Sequence, residues 1–180
     1  MTGVQTCALP ICSNFAGWHI ATAQGVAAKR NFLGLVAEQS LYNLMARTVE
    51  LEVLPSAQHH GLGVIPWSPL AGGLLGGVLR KAGEKGGRSA DRAEKLSSAE
   101  REKLQAYEDF ADKLGVEPGT LALAWLLHQP AVTAPIVGPR TADQLDTALK
   151  ALDVKLDQEA LDRLDEIFPG HRTAPEDYAW

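Results

Sequence analysis

The sequence predicts an α/β protein built on a parallel sheet, and three observations carry that expectation. From Ser13 onward, helical patterns alternate with short apolar runs about four times, which is the order a parallel sheet requires. At 180 residues the chain has the length of one ordinary domain. A composition of 46% hydrophobic and 22% charged residues suits a globular protein with a real core. No apolar run reaches the ~18 residues that a membrane-spanning helix needs, so a cytoplasmic domain without a membrane partner is expected. The formal charge of -5 is spread along the chain with no Lys/Arg block, which argues against nucleic acid as a partner.

The first twelve residues, MTGVQTCALPIC, contain both cysteines, Cys7 and Cys12, and no Asp, Glu, Lys or Arg. They lack the basic and apolar regions of a signal peptide and read as a non-native leader, with a short native strand as the alternative. The remainder, 13–180, reads as one domain. Ser13 and Asn14 are good N-cap types for a helix that carries Trp18, Ile20, Ala23, Ala27 and Ala28 and ends near Arg30. Leu33 to Gln39 then predicts a short buried strand. Thr48 is positioned to cap a helix through His60, with Gly61 at the left-handed C-terminal position, and Leu62 to Ile65 opens the next strand.

Beyond Trp67-Ser68-Pro69, the glycines from Gly72 to Gly77 and the aperiodic polar stretch from Lys81 to Glu94 predict a long mobile loop. Ser97 and Glu100 form a capping box for a helix with Leu104, Tyr107, Ala111 and Leu114 on one face, stopped by Gly115. Pro118 suits the first turn of another helix, and Leu121 to Leu127 is apolar all round, as a helix buried against a sheet should be. Val132 to Val137 predicts the last strand. Thr141 and Gln144 predict a second capping box, with Leu145, Ala148, Leu149 and Leu152 turned inward. A final helix carries Leu161, Leu164 and Ile167 and stops at Pro169-Gly170, and the tail from His171 to Trp180 is expected to be irregular.

Single motifs are weak. The glycine stretch has neither G-x-x-x-x-G-K-[ST] nor G-x-G-x-x-G, so by itself it is a flexible loop. His59-His60 lacks the spacing and third ligand of a zinc site, and His19, His128 and His171 have no partner at a triad-like spacing. Gln39, Tyr42 and Trp67, taken singly, serve equally well as packing residues.

Their joint pattern is more specific. Ser13-Asn14-Phe15-Ala16-Gly17-Trp18, Glu38-Gln39-Ser40-Leu41-Tyr42-Asn43-Leu44, Gly63 to Gly73 through Trp67-Ser68-Pro69, and Pro135-Ile136-Val137-Gly138-Pro139-Arg140-Thr141 occur in that order, and the Leu121 to Leu127 helix fits beside them. Together, from Ser13 to about Ile167, they resemble the aldo-keto reductases, particularly the bacterial branch called aryl-alcohol-dehydrogenase-like. The resemblance implies the C-terminal half of a TIM (β/α)8 barrel, strands five to eight with their helices, binding NADP across the carboxyl ends of the strands.

Under that resemblance, Ser13, Asn14 and Gln39 hold the nicotinamide carboxamide and Trp67 stacks on its ring. Ser68, Leu70 and Gly72 wrap the pyrophosphate, and Gly138, Arg140 and Gln144 grip the 2′-phosphate and adenine. Thr147 and Ala148 stand where many members carry Glu and Asn against adenine, which leaves those contacts without a counterpart. The family's catalytic Asp, Tyr, Lys and His come from strands two to four, which have no counterpart before Ser13, and Tyr42 matches a different position. No catalytic residue is therefore assigned here. The implied parent enzyme reduces an aldehyde or ketone, its small-molecule substrate, and the 180 residues alone are expected to be inactive and to self-associate. A non-catalytic nucleotide-binding or interaction module is the other class the resemblance leaves open.

Overall fold

The computed structural model describes residues 9–82 and 88–171. Three short strands, β1 (Ile11–Ser13), β2 (Ala37–Gln39) and β3 (Gly63–Val64), form a parallel sheet in the order β1-β2-β3. Ile11 pairs with Ala37, Ser13 with Gln39, and Glu38 with Val64. Helix α1 (Gly17–Lys29) joins β1 to β2, and α2 (Val53–His59) leads into β3, so the chain is α/β with a parallel sheet as expected. The first strand begins at Ile11, two residues inside the stretch set aside as a leader.

Several boundaries differ from expectation for identifiable reasons. Ser13 and Asn14 do not cap α1. Ser13 ends β1, and the helix begins after Ala16, with Glu52 accepting the Gly17 N–H at 3.1 Å. Leu33 to Leu35 stays outside the sheet because Gly34 turns the chain at a φ of 78° and the Gln24 amide satisfies both the N–H and the carbonyl of Leu35, while Val36 already bonds to Pro10 at 2.9 Å and Gly63 at 3.0 Å just before β2. The helix expected from Thr48 is split into a 3-10 turn, Thr48–Glu50, and α2. Pro55 lacks an N–H and crowds the preceding turn, so helix cannot run through from Thr48. Gly61 does take the left-handed conformation, with a φ of 69°.

No strand forms over Val132 to Val137. That segment runs beside β3 with one bridge, Val64 to Val132, and two backbone bonds, Thr133 N–H to Val64 and Ile136 N–H to Pro66, each 2.8 Å. Pro135 has no N–H to give a ladder, which limits the pairing. The long mobile loop expected from Gly72 to Glu94 is partly helical, with 83–87 outside the described residues: a 3-10 segment, Ala71–Gly76, leads into α3 (Val78–Lys81), and α4 (Arg88–Glu94) follows. The buried carboxylate of Glu108 accepts the N–H groups of Leu79 and Arg80, at 2.9 and 3.1 Å, and anchors that turn.

The core lies where α5 (Ser98–Lys113), α6 (Pro118–Leu127) and α8 (Gln158–Ile167) close over the sheet. Ser97 and Glu100 form the expected capping box on α5. Every residue from Leu121 to Leu126 is buried, and Trp125 packs against Tyr42 at 5.2 Å between ring centres and beneath the Arg47 guanidinium at 5.0 Å. Helix α7 (Ala142–Leu149) starts at a Thr141 cap, but Gln144 turns its side chain to the Arg140 N–H rather than back to Thr141. Leu145, Leu149 and Leu152 are exposed rather than inward, and Ala148 and Ala151 supply the packing on this edge. The expected irregular tail lies beyond the described residues except for His171.

Candidate functional site

Parallel strands aim their carboxyl ends at one edge of a sheet, and the residues that follow those ends converge there. Ser13 and Gln39 are register partners at that edge, and the Ser13 hydroxyl donates to the Gln39 carbonyl at 2.8 Å. Asn14, turned to a φ of 55°, donates its backbone N–H to the same carbonyl at 3.1 Å. Trp67 comes in from beyond β3. Its backbone N–H donates to Ser40 at 3.0 Å and its indole N–H to the Asn14 side-chain oxygen at 3.1 Å, which fixes the ring while leaving it 37% exposed. These four residues, 54 positions apart at the extremes, therefore form one bonded cluster. An open cleft of about 260 Å³ beside it is lined in part by Asn14, Phe15, Ser40 and Leu41.

The next turn is strained. Ser68 and Ala71 have φ of 54° and 48°, and Gly72 and Gly73 have 65° and 101°. Within it the Ala71 N–H donates to the Ser68 carbonyl at 3.0 Å and the Gly73 N–H to the Leu70 carbonyl at 2.7 Å. The Ser68 hydroxyl accepts the Gly72 N–H at 3.2 Å, and the Ser68 carbonyl accepts from the Asn43 amide at 2.9 Å, so the turn is tied to the segment after β2. Leu70 is half-buried with its methyls toward Gly119 of α6, so its part in the turn is played by backbone. Sequence reasoning missed Arg92. A side chain at position 73 would meet its Nη1 at 2.7 Å, so this guanidinium lies directly on the glycines. It comes from α4, which buries Ala93 and so shows no helical periodicity in sequence.

Gly138, Arg140 and Gln144 make a separate group at the start of α7. The Gln144 side-chain oxygen accepts the Arg140 N–H at 2.8 Å, and Thr141 caps the Gln144 N–H at 3.3 Å. Arg140 is exposed, and a side chain at position 138 would meet nothing within 4 Å. No direct hydrogen bond joins this group to the Trp67 cluster among the described residues.

The remaining candidates have structural roles. His128 contacts the Ala124 carbonyl through Nδ1 at 2.8 Å and accepts the Leu156 N–H on Nε2 at 3.1 Å, linking α6 to the segment before α8. Tyr42 is fully buried and donates to Glu50 at 2.7 Å, and burial followed by the Glu50 charge pushes its hydroxyl pKa well up. Cys12 is buried on β1, where burial, then the neighbouring Glu38 carboxylate with its charge, push the thiol up to about 12. Among the described residues no group of three His, Cys, Asp or Glu is arranged to hold a metal ion, and no helix is long and apolar enough to cross a membrane.

Comparison with known proteins fits this arrangement. The uncharacterized oxidoreductase YrpG of Bacillus subtilis is 52% identical over 169 residues, covering 93% of this chain and 51% of the relative. Versiconal hemiacetal acetate reductase of Aspergillus parasiticus is 33% identical, over 89% of this chain and 50% of the relative. A probable voltage-gated potassium channel subunit beta of Arabidopsis thaliana is 33% identical, over 92% and 54%. The chain thus spans about half the length of the curated relatives it matches. The profile of the Aldo/keto reductase family matches residues 12–168, which take in the sheet edge, the glycine turn and the Arg140 turn alike, and the chain belongs to that family of oxidoreductases.

Proposed function

We propose that these residues form the cofactor-holding part of an NADP-dependent oxidoreductase, the C-terminal half of a (β/α)8 barrel whose whole reduces aldehydes or ketones to alcohols. The observation that carries this reading is the bonded cluster of Ser13, Asn14, Gln39 and Trp67 at the carboxyl edge of a parallel sheet. The residues fit the cofactor in chemistry. Gln39 uses its backbone carbonyl for Ser13 and Asn14, which leaves its side-chain amide for a carboxamide. Asn14 spends one side-chain N–H on Ser13 and keeps the other. The exposed Trp67 face is a stacking platform of fixed orientation. When bound, the nicotinamide supplies the hydride.

In the strained turn from Ser68 to Gly73 the N–H groups of Ala71, Gly72 and Gly73 bond within the turn, which leaves those of Ser68 and Leu70 for the pyrophosphate, and Arg92 adds a positive charge beside them. Arg140 and the first N–H groups of α7 suit the 2′-phosphate, since a guanidinium meets a phosphate through paired donors while a ribose hydroxyl offers it no charge. General-acid chemistry falls to residues outside these 180, so the chain alone is proposed to hold nucleotide without turnover. A binding or interaction module is a second reading, favoured by the likeness to the Arabidopsis channel subunit.

Titration of the 180-residue chain with NADPH and NADH tests the first reading. Arg140→Ala should weaken NADPH roughly tenfold to a hundredfold, the effect of losing one charge-assisted contact, and leave NADH nearly unchanged. Equal losses for both would remove Arg140 from phosphate reading, and wild-type protein that binds neither nucleotide would overturn the reading itself. In the same samples an aromatic aldehyde should cause no NADPH oxidation above a heat-killed control, and oxidation abolished by substitutions in this chain would contradict the proposed inactivity. Joining the chain to its family's other half should restore reduction under the first reading and not under the second.

A further inference from the structure

We infer that Glu38 is a positioning residue for the nicotinamide end of the site, one buried carboxylate oxygen setting the backbone on both sides of the cradle made by Ser13, Asn14 and Gln39. The inference rests on the cofactor reading above and assigns a role to a residue that contacts no ligand. Glu38 is the middle residue of β2, opposite Cys12 on β1 and Val64 on β3, and all three are buried on one face of the sheet. Strand alternation turns Gln39 to the other face. A charged side chain so placed needs a reason, because removing a carboxylate from water is unfavourable unless strong hydrogen bonds offset it.

Both of the bonds it makes lead to the cradle. Its Oε1 accepts the backbone N–H of Phe15 at 3.1 Å and the hydroxyl of Ser40 at 2.6 Å. Phe15 follows Asn14, whose left-handed backbone Asn tolerates better than most residues, and the Phe15 bond to Glu38 fixes the chain just after it. Ser40 follows Gln39, and its carbonyl receives the Trp67 N–H. One oxygen therefore ties the turn after β1 to the turn after β2, and through Ser40 to Trp67. Its other oxygen has no partner among the described residues. A carboxylate kept only for the core would be replaced to advantage by an apolar residue of similar size, so the two bonds to the cradle are what it contributes.

Two ligands separate positioning from general damage in the 180-residue chain: NADPH, and 2′-phospho-ADP-ribose, which keeps both phosphate ends and lacks the nicotinamide. Glu38→Ala should weaken NADPH about tenfold, as expected for losing charge-assisted bonds that order the cradle, and change 2′-phospho-ADP-ribose less than about twofold. Glu38→Gln retains an acceptor oxygen in the same place and should stay within about threefold of wild type for both ligands. If Glu38→Ala does not fold, Ser40→Ala removes one of the two donors and should show the same selectivity, several-fold for NADPH alone. Equal weakening of both ligands, or of neither, would overturn the assignment while leaving the cofactor reading intact. Wild-type protein that fails to bind NADPH would overturn that reading, and this one with it.

Discussion

Cys12 shows how burial alone can decide a residue's chemistry. Its thiol is enclosed on β1, donates to the Ala37 carbonyl at 3.5 Å and faces the Glu38 carboxylate across the pair, so ionising it would put a second negative charge into a dry space. Burial first, then the neighbouring Glu38 carboxylate with its charge, push the thiol from its ordinary 9.0 to about 12. The thiolate is the reactive form, and at pH 8 its population falls by roughly a thousandfold relative to an ordinary thiol. With Cys7 replaced by serine, Cys12 should alkylate far more slowly in the native chain than in urea. The same shift fixes a sign for stability. Folding favours the neutral thiol, so its contribution is complete below pH 9.0 and is lost as pH rises toward about 12. A Cys12→Ala chain should lose less stability across that alkaline window than wild type, measured by urea unfolding at each pH.

At the level of elements, the glycine turn makes the sharpest demand on sequence. Gly73 combines a φ of 101° with a guanidinium in the space a side chain would fill, whereas Gly76 has no left-handed backbone and open space around it. Gly73→Ala should therefore destabilise the chain by more than about 1 kcal/mol, while Gly76→Ala should be neutral or stabilising by about 0.4–1 kcal/mol. Comparing the two unfolding midpoints is the check. This turn also shows where sequence stops being informative. Helices α5 and α6 were legible because their signals are local: a capping box at Ser97 and Glu100, a proline in the first turn, an apolar stretch. Helix α3 was not, because what anchors it is Glu108, 28 positions beyond Arg80. The strands were overestimated since an apolar run does not reveal that Gln24 will satisfy Leu35 before β2 can extend. At the site, Ser13, Asn14, Gln39 and Trp67 emerged from the joint order of four segments and are indeed neighbours. Arg92 left no such trace, sitting on a polar helix, and Glu38, although inside one of those segments, gave no sign of its role because it acts through bonds to backbone and a hydroxyl.

Across the whole molecule, long-range ties and open edges pull in opposite directions. Arg47 binds Glu50 at 2.7 Å, Asp165 at 2.5 Å and the Phe168 carbonyl at 2.7 Å while stacking on Trp125, so the end of α8 is fixed to the loop after β2. The sheet is less well closed. Strand β1 has a neighbour on one side only among the described residues, and Leu9, Ile11 and Trp18 near that edge are 63%, 56% and 62% exposed. At the opposite side the extended segment past Val132 exposes Ile136 and Val137, each at 40%. Parallel strands are normally covered on both faces, and an unpaired edge with apolar side chains is a template for pairing with another chain. We therefore propose that the isolated 180 residues self-associate, with the apparent mass by light scattering rising with concentration. Lysine on an edge strand opposes such pairing through charge and hydration, so Ile11→Lys should shift the distribution toward monomer without altering residues of the core. A monodisperse, cooperatively melting wild-type monomer across the same concentrations would contradict the proposal. An Ile11→Lys chain as associated as wild type would move the contact from the β1 edge to another exposed apolar surface, with Leu145, Leu149 and Leu152 next in line.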